Sequence, residues 1–292
     1  MADFEQVEEG DEGRGNEEEK VETTEKKEKQ IYDHPIYKEI SLTNGKINKM
    51  KKEEVKKVLN EFGLDSRGVK EVLQKRLKTY LKKEKLRKAK IELEKKRKIH
   101  YYCVIDFEAT CEKENPQDYK HEIIEFPAVL VDGSTLEVVD IFHQYCRPVL
   151  KPILTEFCQE LTGITQDVVD NSMFFGQVLD EFHIWLKKHE LGTKHKMAVV
   201  TDGPWDIARF LVLQCEISNI MLPKWSKRWI NLRKHYRNYY KTRCKLIDML
   251  ENLGLHFEGR PHCGLDDSKN IARIMIKMIQ DGWEPEFNES LG

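Results

Sequence analysis

The sequence predicts an α/β domain in which a mixed sheet is flanked by helices, with a small helical hairpin in front of it. Three observations predict this fold. Before residue 100 the apolar side chains recur at helical spacing. From residue 101 short apolar runs of the β type begin, with a turn signal at Asp132-Gly133 between two of them. Beyond residue 174 helical patterns alternate with a further apolar run at 197–201, which is the order of an α/β fold.

The small net charge of −2 conceals three differently charged parts of the chain. Residues 1–30 hold 12 acidic and 5 basic side chains and almost no large apolar ones. Such a segment cannot offset its ordering entropy by burial, so we expect a disordered acidic tail. Residues 31–100 hold 22 basic and 10 acidic side chains. This charge favours binding of a polyanion such as nucleic acid, although a solvated charged helix would look the same.

Composition also excludes several classes of protein. No run approaches the roughly 18 consecutive apolar residues of a membrane helix, so no membrane partner is expected. The acidic N-terminus lacks the apolar core of a secretory signal. Seven scattered cysteines without a C-x-x-C pair argue against a disulfide framework or a cysteine-rich zinc site. We therefore expect a reduced, intracellular, soluble protein.

Residues 36–80 contain the helical hairpin. Val55 and Leu59 recur at helical spacing before Gly63, where a helix end favours a left-handed residue. Val72 and Leu77 belong to a second helical pattern. Residues 81–100 are read as a basic linker or as the continuation of an exposed helix.

The first strand carries two carboxylates, Asp106 and Glu108. Side chains two apart on a strand point to the same face. Two like charges on a mostly buried strand are costly unless a cation neutralises them, and carboxylates are the ligands that Mg²⁺ and Mn²⁺ prefer. The alternative is a strand end at which both groups reach solvent.

Further acidic groups follow at two later junctions. Asp206 lies where the run at 197–201 gives way to a helix, and it could instead cap that helix. Asp202 is equally readable as a turn residue. His262 precedes Asp267 by five residues in a loop that enters a helix, although a lone histidine there is more often an ordinary loop residue. The run at 225–240 mixes aromatic and basic side chains, and is either an RNA contact or an amphipathic face.

In this order the segments resemble the DEDDh 3′–5′ exonucleases, a branch of the RNase H-like superfamily. Five positions match that family's motifs: Asp106, Glu108, Asp206, His262 and Asp267. Residues 161–165, LTGIT, resemble the loop that meets the terminal nucleotide. Residues 36–80 resemble a SAP module, and a SAP module followed by an exonuclease domain at 101–284 is similar to the Eri-1 family of histone mRNA stem-loop exonucleases.

The resemblance implies two Mg²⁺ ions, replaceable by Mn²⁺, held by Asp106, Glu108, Asp206 and Asp267. Glu108 would touch both ions and His262 would act as the general base. The substrate-binding residues that we expect are Glu108, Ala109, Phe157, Leu161, Trp205 and His262. For Trp205 and Phe157, stacking on bases competes with ordinary core packing as the interpretation.

The function implied is that of a metal-dependent 3′–5′ exoribonuclease that releases nucleoside 5′-monophosphates. Its implied substrates are structured RNAs: histone mRNA stem-loops, 5.8S ribosomal RNA or small interfering RNA. A 3′–5′ exodeoxyribonuclease and a non-catalytic RNA-binding adaptor are the alternatives. We expect a monomer in the cytoplasm and in the nucleus with its nucleolus, with the ribosome or stem-loop-binding protein as possible partners.

Overall fold

The computed structural model describes residues 34–91 and 99–292. The predicted acidic tail and part of the predicted basic linker, residues 92–98, lie outside the described residues. None of the helices in the described ranges combines the length and the apolar character needed to cross a membrane.

The described residues contain ten α-helices. They are α1 (Ile36–Lys49), α2 (Lys52–Glu61), α3 (Lys70–Lys88), α4 (Glu156–Thr162), α5 (Gln166–Asp170), α6 (Phe175–Lys188), α7 (Val212–Ile217), α8 (Leu232–Tyr240), α9 (Leu246–Leu253) and α10 (Gly264–Gln280). A π-helical turn, Asp206–Leu211, leads into α7.

Eight strands form one sheet in the same parts of the chain. They are β1 (Tyr101–Ile105), β2 (Glu108–Ala109), β3 (Ile123–Asp132), β4 (Val138–Arg147), β5 (Met173–Phe174), β6 (Met197–Thr201), β7 (Arg228–Asn231) and β8 (Glu289–Ser290). Their order across the sheet is β5-β4-β3-β1-β6-β7-β8, with β2 paired to β3. The sheet is mixed as predicted, because β1 runs antiparallel to β3 but parallel to β6.

Side-chain alternation along the central strands separates two hydrophobic layers. On β1, Cys103 and Ile105 pack on one face with side chains of α6, whereas Tyr102 and Val104 pack on the other with α8, α9 and α10. Both layers are closed to solvent, so the sheet is covered on its two faces. The α/β architecture predicted from the apolar runs is confirmed.

The chain divides into two compact units. Of the described residues, 34–50 and 81–91 form one unit, in which Lys85 Nζ lies 3.3 Å from Glu39 Oε2. Residues 51–80 fold together with 99–292 in the other. In this second unit Val72 of α3 packs in the same hydrophobic layer as α9 and α10, and Val69 N donates to Asn252 O. The region predicted as a linker begins within α3, which ends at Lys88.

Candidate active site at the carboxyl ends of two parallel strands

The carboxyl ends of β1 and β6 lie side by side. The two strands are parallel neighbours, with Val104 paired to Val200. Asp106 directly follows β1, and Asp202 directly follows β6. Since parallel strands end at the same edge of a sheet, both carboxylates lie at that edge.

Asp206 is held against the segment that separates the two carboxylates of the first motif. It begins the π-helical turn after β6, and its Oδ1 accepts a hydrogen bond from Phe107 N at 3.0 Å. Its side chain is buried, and Trp205 rather than Asp206 occupies the N-cap position of the turn. The helix-cap interpretation of Asp206 is therefore wrong, and the residue lies beside Asp106 and Glu108.

Asp267 lies in the first turn of α10 and holds the loop that precedes this helix. Its Oδ2 accepts a hydrogen bond from His262 N at 2.9 Å. His262 itself is exposed and has a left-handed backbone, with φ of 62°. Asp266 instead accepts from Arg260 N at 3.0 Å. The two neighbouring aspartates therefore have different roles. Asp266 holds the loop, whereas Asp267 lies between the loop and the strand ends.

Glu125 of β3 anchors the N-terminus of α10. It is buried, and its two carboxylate oxygens accept from Gly264 N at 2.9 Å and Leu265 N at 3.2 Å. A Cβ added at Gly264 would lie 2.6 Å from Asp106 O, so only glycine permits this approach of α10 to the end of β1. Glu125 and Gly264 therefore set the distance between Asp106 and Asp267.

These contacts bring the five motif residues to one cavity of about 750 Å³. Asp106, Glu108, Asp206, Asp267 and His262 all line it. One possible ligand atom from each of Glu108, His262 and Asp267 lies within 4.8 Å of the others. Residues separated by up to 161 positions in the sequence are thus gathered at one point.

Electrostatic repulsion within this cluster is strong. Burial, together with the negative charges of Asp206, Glu108 and Asp267, raises the pKa of Asp106 well above its usual range. Burial, and then the charges of Glu125 and Asp267, raise the pKa of Glu108 to about 9. Burial is also the main reason that the pKa values of Asp206 and Asp267 rise to about 7. All four groups are therefore destabilised as anions in the protein alone.

This donor set fits divalent cations. Each of the four groups offers hard carboxylate oxygens, and none of them forms an ion pair with a basic side chain in the described parts of the chain. A cation within the cluster would relieve the repulsion that raises the four pKa values. The alternative of a strand end with both groups in solvent does not hold here, because Asp106 and Glu108 are half-buried and line the cavity.

Only some of the residues predicted to contact the substrate line this cavity. Trp205 lines the cavity and is 55% exposed, with the Arg209 guanidinium 5.1 Å from its ring centre. An indole this exposed is not a core residue, so the core-packing interpretation of Trp205 is wrong. Ala109 is buried, and Phe157 and Leu161 are half-buried outside the lining of the cavity. Their proposed roles stay predictions.

The LTGIT segment does meet the His262 loop. Gly163 ends α4 with φ of 77°, and a Cβ placed on it would collide with the guanidinium of Arg260. Arg260 Nη2 also donates to Glu160 O. The segment predicted to meet the terminal nucleotide is thus tied to the loop that carries His262.

The structure also places other charged residues at the site. Asp202, which the sequence presented equally well as a turn residue, forms an ion pair with Arg233 and lines the same cavity. Three more basic residues, Lys234, Arg237 and Arg243, line it as well. For Lys234 and Arg237 the signal in the sequence is only the mixture of basic and aromatic residues at 225–240, which does not say which side chains face a site. Arg243 lies beyond that run.

Comparison with known proteins agrees with this geometry. The chain matches the model of the exonuclease family (RNase T) over residues 103–275 and the SAP domain model over residues 46–82. The boundaries 36–80 and 101–284 stay predictions. Human 3′–5′ exoribonuclease 1 is 52% identical over 263 residues, which cover 89% of this chain and 75% of the human protein.

Two solved structures are also similar. One, described as the 3′-end specific recognition of histone mRNA stem-loop by 3′-exonuclease, has a TM-score of 0.67 at 52% identity and covers 89% of this chain and 91% of that one. The other is the nuclease domain of a DEDDh family member bound to rAMP, with a TM-score of 0.65 at 54% identity; it covers 66% of this chain and 98% of that one.

Family membership carries one chemical consequence, which is dependence on a divalent metal ion. The exonuclease model and the SAP model match the chain in the order that the sequence predicted. The chain belongs to the DEDDh exonuclease family, among the 3′–5′ exoribonucleases that carry a SAP domain.

Proposed function

We propose that this protein shortens structured RNAs from their 3′ ends and releases nucleoside 5′-monophosphates. One observation carries the proposal: Asp106, Glu108, Asp206 and Asp267 line one cavity together with His262. An RNA-binding adaptor has no need of four buried or half-buried carboxylates that repel one another. A hydrolase that binds divalent cations does need them.

Asp106, Glu108, Asp206 and Asp267 would hold two Mg²⁺ ions, for which Mn²⁺ can substitute. When bound, the ions lower the pKa of the attacking water and neutralise the leaving 3′ oxygen. Glu108, which burial and the charges of Glu125, Asp267 and Asp206 destabilise as an anion, would contact both ions, as membership of the family implies. Glu125 and Phe107 N keep the ligands in place through the backbone contacts described above.

His262 is proposed to accept the proton of the attacking water. Its backbone N–H is held by Asp267, while its side chain lines the cavity at an exposed loop. A residue in this position can reach the substrate and also exchange protons with solvent. Trp205, at the rim of the same cavity, is proposed to stack on the 3′-terminal base.

The proposed substrate class is RNA that carries a stem-loop near its 3′ end. Support comes from the related 3′-exonuclease whose solved structure shows recognition of the histone mRNA stem-loop. The SAP domain and the net positive charge of residues 31–100 suit the phosphates of such a stem. The proposal extends to 5.8S ribosomal RNA and small interfering duplexes, which share a paired stem with a short 3′ tail.

A degradation assay tests this function. The substrate is a 5′-labelled stem-loop RNA with a short 3′ tail, next to a DNA of the same sequence, in Mg²⁺, Mn²⁺ or EDTA. We expect stepwise 3′ shortening of the RNA by the wild type in either metal, slower loss of the DNA, and no reaction in EDTA. Asp106→Asn should be inactive, and Asp180→Asn, an exposed residue of α6, should match the wild type.

Each other outcome selects a different function. Equal or faster loss of the DNA would make the protein an exodeoxyribonuclease. Tight RNA binding without shortening in either metal would make it an adaptor. Accumulation of nucleoside 3′-monophosphates would contradict the proposed chemistry.

The proposal also includes partners and place of action. We propose a monomer that meets stem-loop-binding protein or the ribosome on the RNA, in the cytoplasm, nucleus and nucleolus. Light scattering of the purified protein tests its oligomeric state. Imaging of the tagged full-length chain tests its distribution.

A further inference from the structure

We propose that four basic residues of the active-site cavity form a binding wall for the RNA phosphates that lie 5′ of the scissile bond. The basic wall consists of Arg233, Lys234, Arg237 and Arg243. Arg237 and Arg243 are the side chains that bind these phosphates. The inference rests on the proposed function and names the part of the cavity that holds the body of the RNA.

Side chains of both charges line this cavity. The four motif carboxylates, Asp202 and Glu289 line it together with the basic wall. A phosphodiester is itself an anion, so six carboxylates alone would repel the substrate. The cations proposed above attract the scissile phosphate, whereas the next phosphates along the strand need other positive groups. The basic wall supplies such groups within the same cavity.

Helix α8 holds three of these residues in fixed positions. Leu232, His235 and Tyr236 on one face of the helix are buried in the core. Arg233 and Arg237 are four residues apart on the exposed face, and Lys234 lies next to them. The buried face therefore fixes the helix, and the basic residues project from a rigid support.

The four basic residues differ in how far the protein already neutralises them. Arg233 forms its ion pair with Asp202, and Lys234 Nζ lies 3.2 Å from Glu289 Oε1. Arg237 and Arg243 are exposed, and neither makes an ion pair among residues 34–91 and 99–292. Their guanidinium groups are available to an external anion, and the planar fork of arginine suits phosphate oxygens.

The course of α8 indicates where the strand leads. The helix starts at the cavity, and near its other end the ring of Tyr239 lies 4.2 Å from Lys75 Nζ of α3. Thr79 Oγ1 of α3 lies 3.3 Å from the Tyr239 hydroxyl. Since α3 belongs to the SAP hairpin, an RNA strand that follows α8 away from the carboxylates reaches the second RNA-binding part of the protein.

Two substrates of different length test the proposal. One is p-nitrophenyl thymidine 5′-monophosphate, which has a scissile phosphodiester but no phosphate 5′ of it. The other is a ten-nucleotide single-stranded RNA. The variants are Arg237→Ala, Arg243→Ala, their combination, and Arg237→Lys. The matched control is Lys187→Ala, an exposed residue of α6 outside the cavity.

We expect the ratio of kcat/KM for the RNA to kcat/KM for the ester to fall about tenfold for the double variant, through KM for the RNA. The slope of log(1/KM) against log[salt] should become shallower by about 0.7 for each lost phosphate contact. Arg237→Lys should retain the salt slope because the charge is kept. Lys187→Ala should change neither the ratio nor the slope.

An unchanged ratio and salt slope in the double variant would overturn the basic wall, as would an equal loss on both substrates. A wild-type protein that cleaves neither substrate would instead overturn the proposed function. In that case the affinity for the labelled RNA, measured by fluorescence anisotropy in EDTA, still tests whether the basic wall binds phosphates. Equal affinities of wild type and double variant would overturn it, and a weaker double variant with a reduced salt slope would support it.

Discussion

Arg76 of the SAP hairpin and Asp281, at the end of α10, form a buried two-pronged ion pair. Arg76 Nε lies 2.6 Å from Asp281 Oδ1, and Nη2 lies 2.9 Å from Oδ2. The two residues are only 5% and 4% exposed. Tyr240 of α8 donates its hydroxyl to Asp281, and Lys277 of α10 pairs with Asp65 of the hairpin. Residues 51–80 are thus bound to the exonuclease domain by charges that solvent does not screen.

Breaking this pair should therefore cost far more stability than breaking an exposed one. Asp281→Asn removes the close partner of the buried Arg76 and leaves only Asp65, whose Oδ1 is 4.0 Å from Nη1, so we expect a loss of about 3–5 kcal/mol in the free energy of unfolding. Urea denaturation followed by circular dichroism measures it. The control is Glu84→Gln in the exposed Arg87–Glu84 pair of α3, expected to cost under about 1 kcal/mol. Similar losses in both variants would show that the buried pair does not hold the hairpin.

The role of His262 predicts a selective loss of turnover. His262→Ala should lower kcat on stem-loop RNA about 10²–10⁴-fold, which is the usual contribution of a general base, with little change in KM. Single-turnover and steady-state kinetics in Mg²⁺ measure both constants. His256→Ala, in an exposed position of the preceding loop, serves as the control. A decrease in kcat of less than tenfold would show that His262 is not the general base.

The proposed stacking role of Trp205 predicts a loss of RNA binding rather than a loss of turnover. Stacking of a base on an aromatic ring is worth about 1–3 kcal/mol, so Trp205→Ala should weaken binding of the 3′ end by that amount. Trp205→Phe keeps a ring and should recover most of it. The affinity of RNA in EDTA, measured by anisotropy, is the readout. Equal affinities of the alanine variant and the wild type would show that Trp205 does not stack on the RNA.

Gly264 predicts a defect in the arrangement of the site. A Cβ at this position meets Asp106 O at 2.6 Å, so Gly264→Ala must displace α10 or the end of β1. We expect a loss of activity beyond the roughly 10–100-fold that follows removal of a group that hydrogen-bonds to a metal ligand and orients it. Gly45→Ala in α1 is the control, because a Cβ there meets nothing within 4 Å. Activity of Gly264→Ala within twofold of wild type would contradict the close approach.

The raised pKa values predict how metal-free stability depends on pH. Asp206 and Asp267 have pKa values of about 7 in the folded protein but about 4 when unfolded, so folding favours their protonated forms. Their contribution to stability is complete below pH 4 and is lost as the pH rises through 7. Asn at position 206 carries no such penalty. In EDTA, the Tm of Asp206→Asn minus that of the wild type should therefore increase from pH 5 to pH 8.

The difference in Tm between the wild type and Asp206→Asn cancels the contributions of all other groups that titrate in both proteins. Burial lowers the pKa values of His121 and His235, which acts in the opposite sense. Mg²⁺ should raise the wild-type Tm more at pH 8 than at pH 5, because carboxylates must be deprotonated to bind it. A Tm difference that is flat or decreases with pH would contradict the raised pKa values.

Much of the candidate site was predictable because its signals are local. Asp106 and Glu108 are only two residues apart, and His262 reaches Asp267 across the few residues of one helix start. The two carboxylates do not share the first strand as predicted, because β1 ends at Ile105 and Glu108 belongs to β2. The spacing of apolar residues along the chain is a local signal as well, and it distinguished helices from strands. These features depend on neighbours in the chain, so the fold class and the order of the catalytic motifs could be predicted without a structure.

Tertiary structure alone decided which distant residues complete the site. Glu125 anchors α10 only because β3 passes beneath that helix start, and Arg237 lines the cavity only because α8 follows a strand parallel to β6. Arg76 belongs to the basic segment 31–100, yet its charge is spent on a buried partner, Asp281, which lies 205 positions later. Charge in the sequence does not reveal whether a side chain faces solvent, a substrate or a counter-ion, because packing of remote elements decides that.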